Sequence, residues 1–205
     1  YERLAENGDV KAQAIIGKMY AEGEGTVRDI EKAIYWLELA ANKGESAAQA
    51  KLGKLYNRGK GIETDYEKAR YWSEKAACQG NEDSQLEMAY MYMYGSGVPI
   101  DYAESTYWLE KAAKQGNDKA ESKLGCAYLY GKGVKADIET ARNWLGKAAG
   151  KGNPTAISEL GTMSELGIGC DIDYIEARRF YEKAAALGYS KAHYKLGKIY
   201  AFGKG

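Results

Sequence analysis

Proline, phenylalanine and histidine are nearly missing from this sequence, at two, two and one among 205 residues. With His193 as the only histidine, a histidine metal cluster is excluded by count. Net charge is absent too, since 29 basic residues balance 29 acidic ones. That removes the basic excess of most nucleic-acid proteins and any electrostatic attraction to an anionic membrane. No apolar run is long enough to span a bilayer, and no charged-then-apolar N-terminal stretch reads as a signal peptide. The chain opens on Tyr1 without a methionine, so it is expected to be part of something longer, with organism and compartment open.

Cysteine is scarce as well. Cys78, Cys126 and Cys170 lie far apart and fall at three different positions of the pattern described below, so no disulfide framework is indicated. Cys170 shares its position with Ile62, Val98 and Val134, and is expected to be a small buried apolar residue.

What the sequence has instead is glycine, 25 residues, and tyrosine, 18. Many glycines with almost no prolines point to many helix ends. The glycines recur. Gly23, Gly59, Gly95, Gly131, Gly167 and Gly203 are each 36 residues apart, as are Gly25, Gly61, Gly97, Gly133, Gly169 and Gly205. All four tryptophans fall on one such column, Trp36, Trp72, Trp108 and Trp144, which Phe180 continues. Asp29, Asp65, Asp101, Asp137 and Asp173 form another. Ala-Ala pairs follow at 40–41, 76–77, 112–113, 148–149 and 184–185. No gap is needed anywhere, so the chain is an array of one repeated unit.

Each unit fits two helices. In the second, helix A is predicted over Ser46–Asn57 with a stripe of Ala48, Leu52 and Tyr56. Gly53 inside it implies close approach of a neighbouring helix, since a mid-helix glycine costs about 1 kcal/mol relative to alanine. Gly59-Lys60-Gly61 stops helix A, Asp65 caps helix B, and helix B buries Ala69, Trp72 and Ala76 before Gly80. Stacked hairpins of this kind shield one another's apolar faces and present a concave surface. The expected fold is an all-α solenoid, a single domain over 1–205. It begins with a fragment of helix B at 1–11, continues through repeats 12–47, 48–83, 84–119, 120–155 and 156–191, and ends in a partial repeat at 192–205. No polar capping unit is visible at either end.

Leu124-Gly125-Cys126-Ala127-Tyr128, Gly131-Lys132-Gly133-Val134, Asp137, Trp144 and Lys147-Ala148-Ala149 carry a resemblance to the Sel-1-like repeat family, relatives of the tetratricopeptide repeat. Departures are Ala89 for the helix A glycine, Ser105 for the helix B alanine, Ser164 for the tyrosine and Phe180 for tryptophan. The resemblance implies a binding scaffold for a protein or peptide, mostly of bacterial origin, serving assembly, signalling, secretion or host contact. With the balanced charge and the absence of catalytic motifs, no cofactor, no nucleic acid and no catalysis are expected. The alternative is a cell-wall hydrolase or β-lactam-binding enzyme using the groove. The β-lactam branch of the family carries paired cysteines that are missing here, and there is no Ser-x-x-Lys.

Other motifs dissolve into the repeat. Gly125 to Lys132 mimics a phosphate loop, but with five intervening residues and no following Ser or Thr. Asp173 is a repeating cap rather than an acid–base partner of Asp171. Charged helix B residues such as Glu74-Lys75 read as a solvated face. His193 shares a column with Gln13, Gln49, Gln85, Glu121 and Ile157, which reads as a variable surface position. The strict period of the tryptophans argues for core.

In stacks of this kind helix A lines the groove, and its variable positions specify the partner. The run Met88–Tyr94 is apolar or aromatic throughout, more than one buried stripe requires. Tyr90, Met93, Tyr94, Leu129 and Tyr130, edged by Lys54, Arg58 and Lys18, are therefore the expected partner contacts. The competing expectation is that they pack between A helices as core.

Overall fold

The computed structural model describes residues 1–59 and 61–203; Lys60 and Gly205, both placed in glycine turns above, lie outside the described residues. Among the described residues all regular structure is helical, in twelve helices without a strand. Two compact units divide the chain. The first, Tyr1–Asp101, holds α1 (Glu2–Glu6), α2 (Val10–Glu22), α3 (Ile30–Asn42), α4 (Ser46–Arg58), α5 (Tyr66–Cys78) and α6 (Glu82–Tyr94). The second starts at Tyr102 and holds α7 (Tyr102–Lys114), α8 (Asp118–Tyr130), α9 (Ile138–Gly150), α10 (Pro154–Leu166), α11 (Tyr174–Ala186) and α12 (Ser190–Ala201). In each unit consecutive helices pack as antiparallel pairs that stack on the next pair.

The helix boundaries follow from capping. The aspartate column starts helix B: Asp29, Asp65, Asp137 and Asp173 accept from the backbone N–H three residues on, at 2.8–3.1 Å. This satisfies donors that a helix start leaves free. Helix A has its own caps, which the sequence reading did not identify. Asn81, Asn117 and Asn153 accept from Ser84, Ala120 and Ala156 N–H in the same manner. Helix A ends on a left-handed glycine, for instance Gly131 at φ 65°, a region that costs any other residue strain.

Packing explains the mid-helix glycines. A Cβ on Gly125 would stand 2.7 Å from Leu145 Cγ and 3.1 Å from its backbone nitrogen. Gly17 meets Leu37, Gly53 meets Ser73 and Gly161 meets Tyr181 in the same way. The partner is thus the residue after the tryptophan column. Leu37, Leu109, Leu145 and Tyr181 are at most 1% exposed, whereas Trp72 and Trp108 are 6% exposed. Trp36 and Trp144 are half-buried. The tryptophans are therefore the flank of the core, and the following residue is its centre.

One expectation is corrected. The column of Gln13, Gln49 and Gln85 is core, not surface. Each glutamine is buried, and its Nε2 donates to the carbonyl of Ala5, Ala41 or Ala77 at 3.0–3.1 Å. These amides tie helix A back onto the preceding helix B. Glu121 and Ile157 are buried at the same position, and only His193, in α12, is exposed. A second tie runs between the same elements. Tyr20, Tyr56, Tyr128 and Tyr200 donate their hydroxyls to Glu2, Glu38, Glu110 and Glu182, each 18 residues earlier, at 2.9–3.3 Å.

Candidate binding surface on the A helices

The A helices of the first unit, α2, α4 and α6, lie side by side and are cross-linked through their exposed edges. Lys51 donates to Glu22 at 2.5 Å and Lys54 to Asp83 at 2.6 Å, while Asn57 donates to Glu87. Glu22 is held below the ordinary carboxylate range, chiefly by that hydrogen bond from Lys51. Lys54, expected to edge the site with a free charge, therefore spends it on Asp83. Lys18 faces Glu22 at 3.5 Å, and Arg58 is exposed.

Beyond this ladder lie the aromatics of α6. Tyr94 is 61% exposed, at the last turn of the helix. Tyr90 and Met93 are half-buried, and the Tyr90 ring stands 6.0 Å from that of Tyr94 at a tilt. Among the expected residues of this unit, Tyr94 presents the most apolar surface to solvent, with Tyr90 as its support.

In the second unit Tyr130 ends α8 and is 54% exposed. Its hydroxyl donates to Glu159 on α10 at 2.8 Å, and partial burial together with that bond raises its pKa above the usual tyrosine value. Leu166, at the end of α10, is 58% exposed at the equivalent position. Leu129 differs from the others. At 7% exposure it belongs to the core cluster with Ala141, Leu145 and Met163, and offers no surface.

The cross-helix partners Asp83, Glu87 and Glu159 went unnoticed in the sequence. Their signal is a spacing of 29 or 30 residues between oppositely charged or polar A-helix positions, one repeat less about two turns of helix. Exposed tyrosines on the B helices were missed as well. Tyr35, Tyr71 and Tyr107 are 48–58% exposed and meet the adjacent tryptophans edge-on at 4.8–5.1 Å. Lys75 and Lys111 lie 4.3 and 4.5 Å from the Tyr71 and Tyr107 ring centres, a cation–π arrangement.

The residues suspected of chemistry are occupied otherwise. Gly125 packs on Leu145 and Gly131 ends α8 in the left-handed region, so packing and capping account for both glycines of the phosphate-loop mimic. Cys170 is exposed, contrary to expectation, in the loop after α10, where even Ile62, Val98 and Val134 of the same column are only half-buried; all three cysteines are free thiols. Burial pushes the Cys126 thiol up to about 12, far from a reactive thiolate. Among the described residues no group of histidine, cysteine, aspartate and glutamate could hold a metal ion, and no helix is long and apolar enough to cross a membrane.

Comparison with known proteins adds the following. The Sel1 repeat family model matches residues 10–45, 46–81, 82–117, 118–153, 154–189 and 190–205. No match emerges among curated proteins. Among solved structures, a protective antigen present in uropathogenic Escherichia coli strains, displaying an SLR fold, is 37% identical with a TM-score of 0.91. The alignment covers 98% of this chain and 43% of the antigen, so the chain spans less than half of that protein. A Sel1 repeat protein from Oxalobacter formigenes is 31% identical with a TM-score of 0.88, over 96% of this chain and 78% of that one. An immunity protein from Pseudomonas aeruginosa is 26% identical with a TM-score of 0.56, over 90% and 67%.

Proposed function

Because the chain belongs to the Sel1-repeat family, whose members are in general protein–protein interaction scaffolds, we propose that it is a non-catalytic adaptor that holds a protein or peptide on the face of its A helices. The observation that carries this is the exposure of large apolar side chains at successive A-helix ends: Tyr94 in the first unit, and Tyr130 and Leu166 in the second. Tyr90, Met93, Lys54 and Arg58 complete the contact set, and Leu129 is left to the core. Rigid aromatics at such positions give large contact area at small entropic cost, the property of binding hot spots. The similar structures come from bacteria, and a bacterial role in assembly, secretion or host contact is part of the proposal.

The test is capture of binding partners by the intact chain and by the Tyr94→Ala/Tyr130→Ala double variant, with helicity and melting measured on both. Loss of a captured partner at unchanged helicity supports the proposal. Unchanged capture removes these tyrosines from the contact set, and loss of folding returns them to the core.

A further inference from the structure

Between α2 and α4 of the first unit a cavity of about 310 Å³ opens on the A-helix face, with Ala14, Ile15 and Ala47 among its apolar walls and Lys11, Lys18 and Lys51 around its rim. Leu37 reaches it from below and Glu45 stands at its edge. Its size is at the lower end of the ~300–1,000 Å³ of sites that enclose a small ligand. Ile15 is 38% exposed there, although it is a branched aliphatic on a helix whose apolar stripe is otherwise covered.

The rim of the cavity differs in charge from the same place one repeat further on. There the positions of Lys18 and Ala47 are held by Lys54 and Asp83, which bridge α4 and α6 with an ion pair at 2.6 Å. Ala47 supplies no acid, so Lys18 is left with Glu22 on its own helix at 3.5 Å. Glu22 is shared, since it also takes Lys51 at 2.5 Å. Lys11 has no ion pair or hydrogen bond among the described residues. Lys11, Lys18 and Lys51 against Glu22 and Glu45 leave the rim one positive charge in excess above an apolar floor.

We infer that this cavity receives one aliphatic side chain of an acidic peptide segment, with carboxylates on either side of it reaching Lys11 and Lys18. The charge complementarity is that of Lys54 with Asp83, supplied here by the partner instead of by α4. The inference rests on the adaptor reading above and names the chemistry that one part of its surface selects.

The experiment uses a short fluorescent peptide, blocked at both ends, with one leucine between aspartates, titrated against the full chain by fluorescence anisotropy. Two companion peptides replace the aspartates by asparagine or the leucine by glycine. Ala47→Asp builds the ion pair of the next repeat into this one. It lies in the exposed first turn of α4, where an acid favours the helix, and circular dichroism checks that the fold is kept. The acidic leucine peptide should bind at least about tenfold more tightly than either companion, and Ala47→Asp should weaken it by about tenfold, the loss of one charge-assisted contact. Lys11→Gln should weaken it severalfold. Equal binding of the asparagine peptide, or wild-type affinity in Ala47→Asp, overturns the inference. If neutral or basic peptides from a charge-scanned panel bind instead, this inference fails and the adaptor reading stands. If no peptide or captured protein binds at all, both fail.

Discussion

Replacing Glu121 by glutamine should stabilise the protein, although it deletes an ion pair. Glu121 is 3% exposed, and its Oε1 accepts from Lys151 Nζ at 2.7 Å. Its Oε2 is buried without a partner. In three other repeats the residue is glutamine, and its Nε2 donates to an alanine carbonyl eight residues earlier. By the same register that carbonyl belongs to Ala113, an acceptor that a carboxylate oxygen cannot use. Satisfying one buried polar atom is worth about 1–3 kcal/mol. The loss is the charge component of a pair whose lysine side chain is 43% exposed, about 0–1 kcal/mol for such pairs. The acceptor role survives, because Gln49 Oε1 takes a hydrogen bond from Gln79 at 2.7 Å at the equivalent place. The net gain is about 1 kcal/mol, or about 2–4 °C in melting midpoint for a chain of this size. Urea and thermal unfolding followed by circular dichroism measure it. Lys151→Met separates the two terms: both backgrounds lose the lysine's bond to Gly116 O at 2.8 Å, but the loss should be larger beside Glu121, which keeps an uncompensated buried charge, than beside glutamine, which keeps only a neutral unmet oxygen. A Glu121→Gln protein less stable than the parent would refute the reasoning, because the ion pair would then outweigh the unmet oxygen.

Gly125→Ala should destabilise by about 1–2 kcal/mol in denaturant unfolding, since overpacking against Leu145 exceeds the gain in helix propensity. Asn117→Ala removes the cap of α8 and should cost about 1 kcal/mol. Asn153→Ala should cost more, about 2 kcal/mol, because its Nδ2 also donates to Asp118 at 2.8 Å; melting of the two variants compares them. Burial and the neighbouring Glu38 raise the Tyr56 pKa from 10.0 to about 12. A raised pKa means that the folded state favours the protonated hydroxyl. The associated stability is complete below pH 10 and is lost as pH rises towards 12. Unfolding midpoints against pH, alongside tyrosinate absorbance, should show this alkaline limb, and Tyr56→Phe should reduce it.

Much of the fold was written in the period. Trp36, Trp72, Trp108 and Trp144 fix the unit, and the glycine and aspartate columns fix where its helices stop and start. What stayed hidden were positions whose burial does not follow from their polarity. Glutamine reads as surface, yet Gln49 is core because its amide reaches Ala41 O and accepts from Gln79. The centre of the core at Leu37, Ser73, Leu109, Leu145 and Tyr181 was masked by the tryptophans beside it, whose fixed identity draws the eye more than a column of mixed size. In the candidate surface, exposed Tyr94 and Tyr130 were legible as surplus aromatics. Leu129 was not separable from them, because hydrophobicity alone does not say which edge of a wide apolar stripe is covered. The cavity is lined in part by small side chains, Ala14 and Ala47, and a search for large or charged residues passes over them.

The variation between repeats is itself ordered. The tyrosine that ties helix A to the preceding helix B is Ser164 in the fifth repeat, and the glutamate it would have bonded is Gly146. Both halves of the contact are gone together, so neither a buried hydroxyl nor a carboxylate is left without its partner there. Ser164 turns instead to Glu176 at 2.7 Å. On α11, Tyr181 brings a hydroxyl of its own, bonded to Glu165 at 2.6 Å and Thr162 at 3.2 Å, and burial with the Glu165 bond raises its pKa. At this structural contact the two positions change as a pair, and the change is answered within the neighbouring residues. The helix-end column of Glu22, Arg58, Tyr94, Tyr130 and Leu166 changes in charge, size and polarity; Glu22 meets Lys51 at 2.5 Å and Tyr130 meets Glu159 at 2.8 Å on the next A helix, whereas Tyr94 and Leu166 stay 61% and 58% exposed. Large apolar side chains left exposed at such a column, Tyr94 above all, are the physical ground on which the proposed binding surface rests.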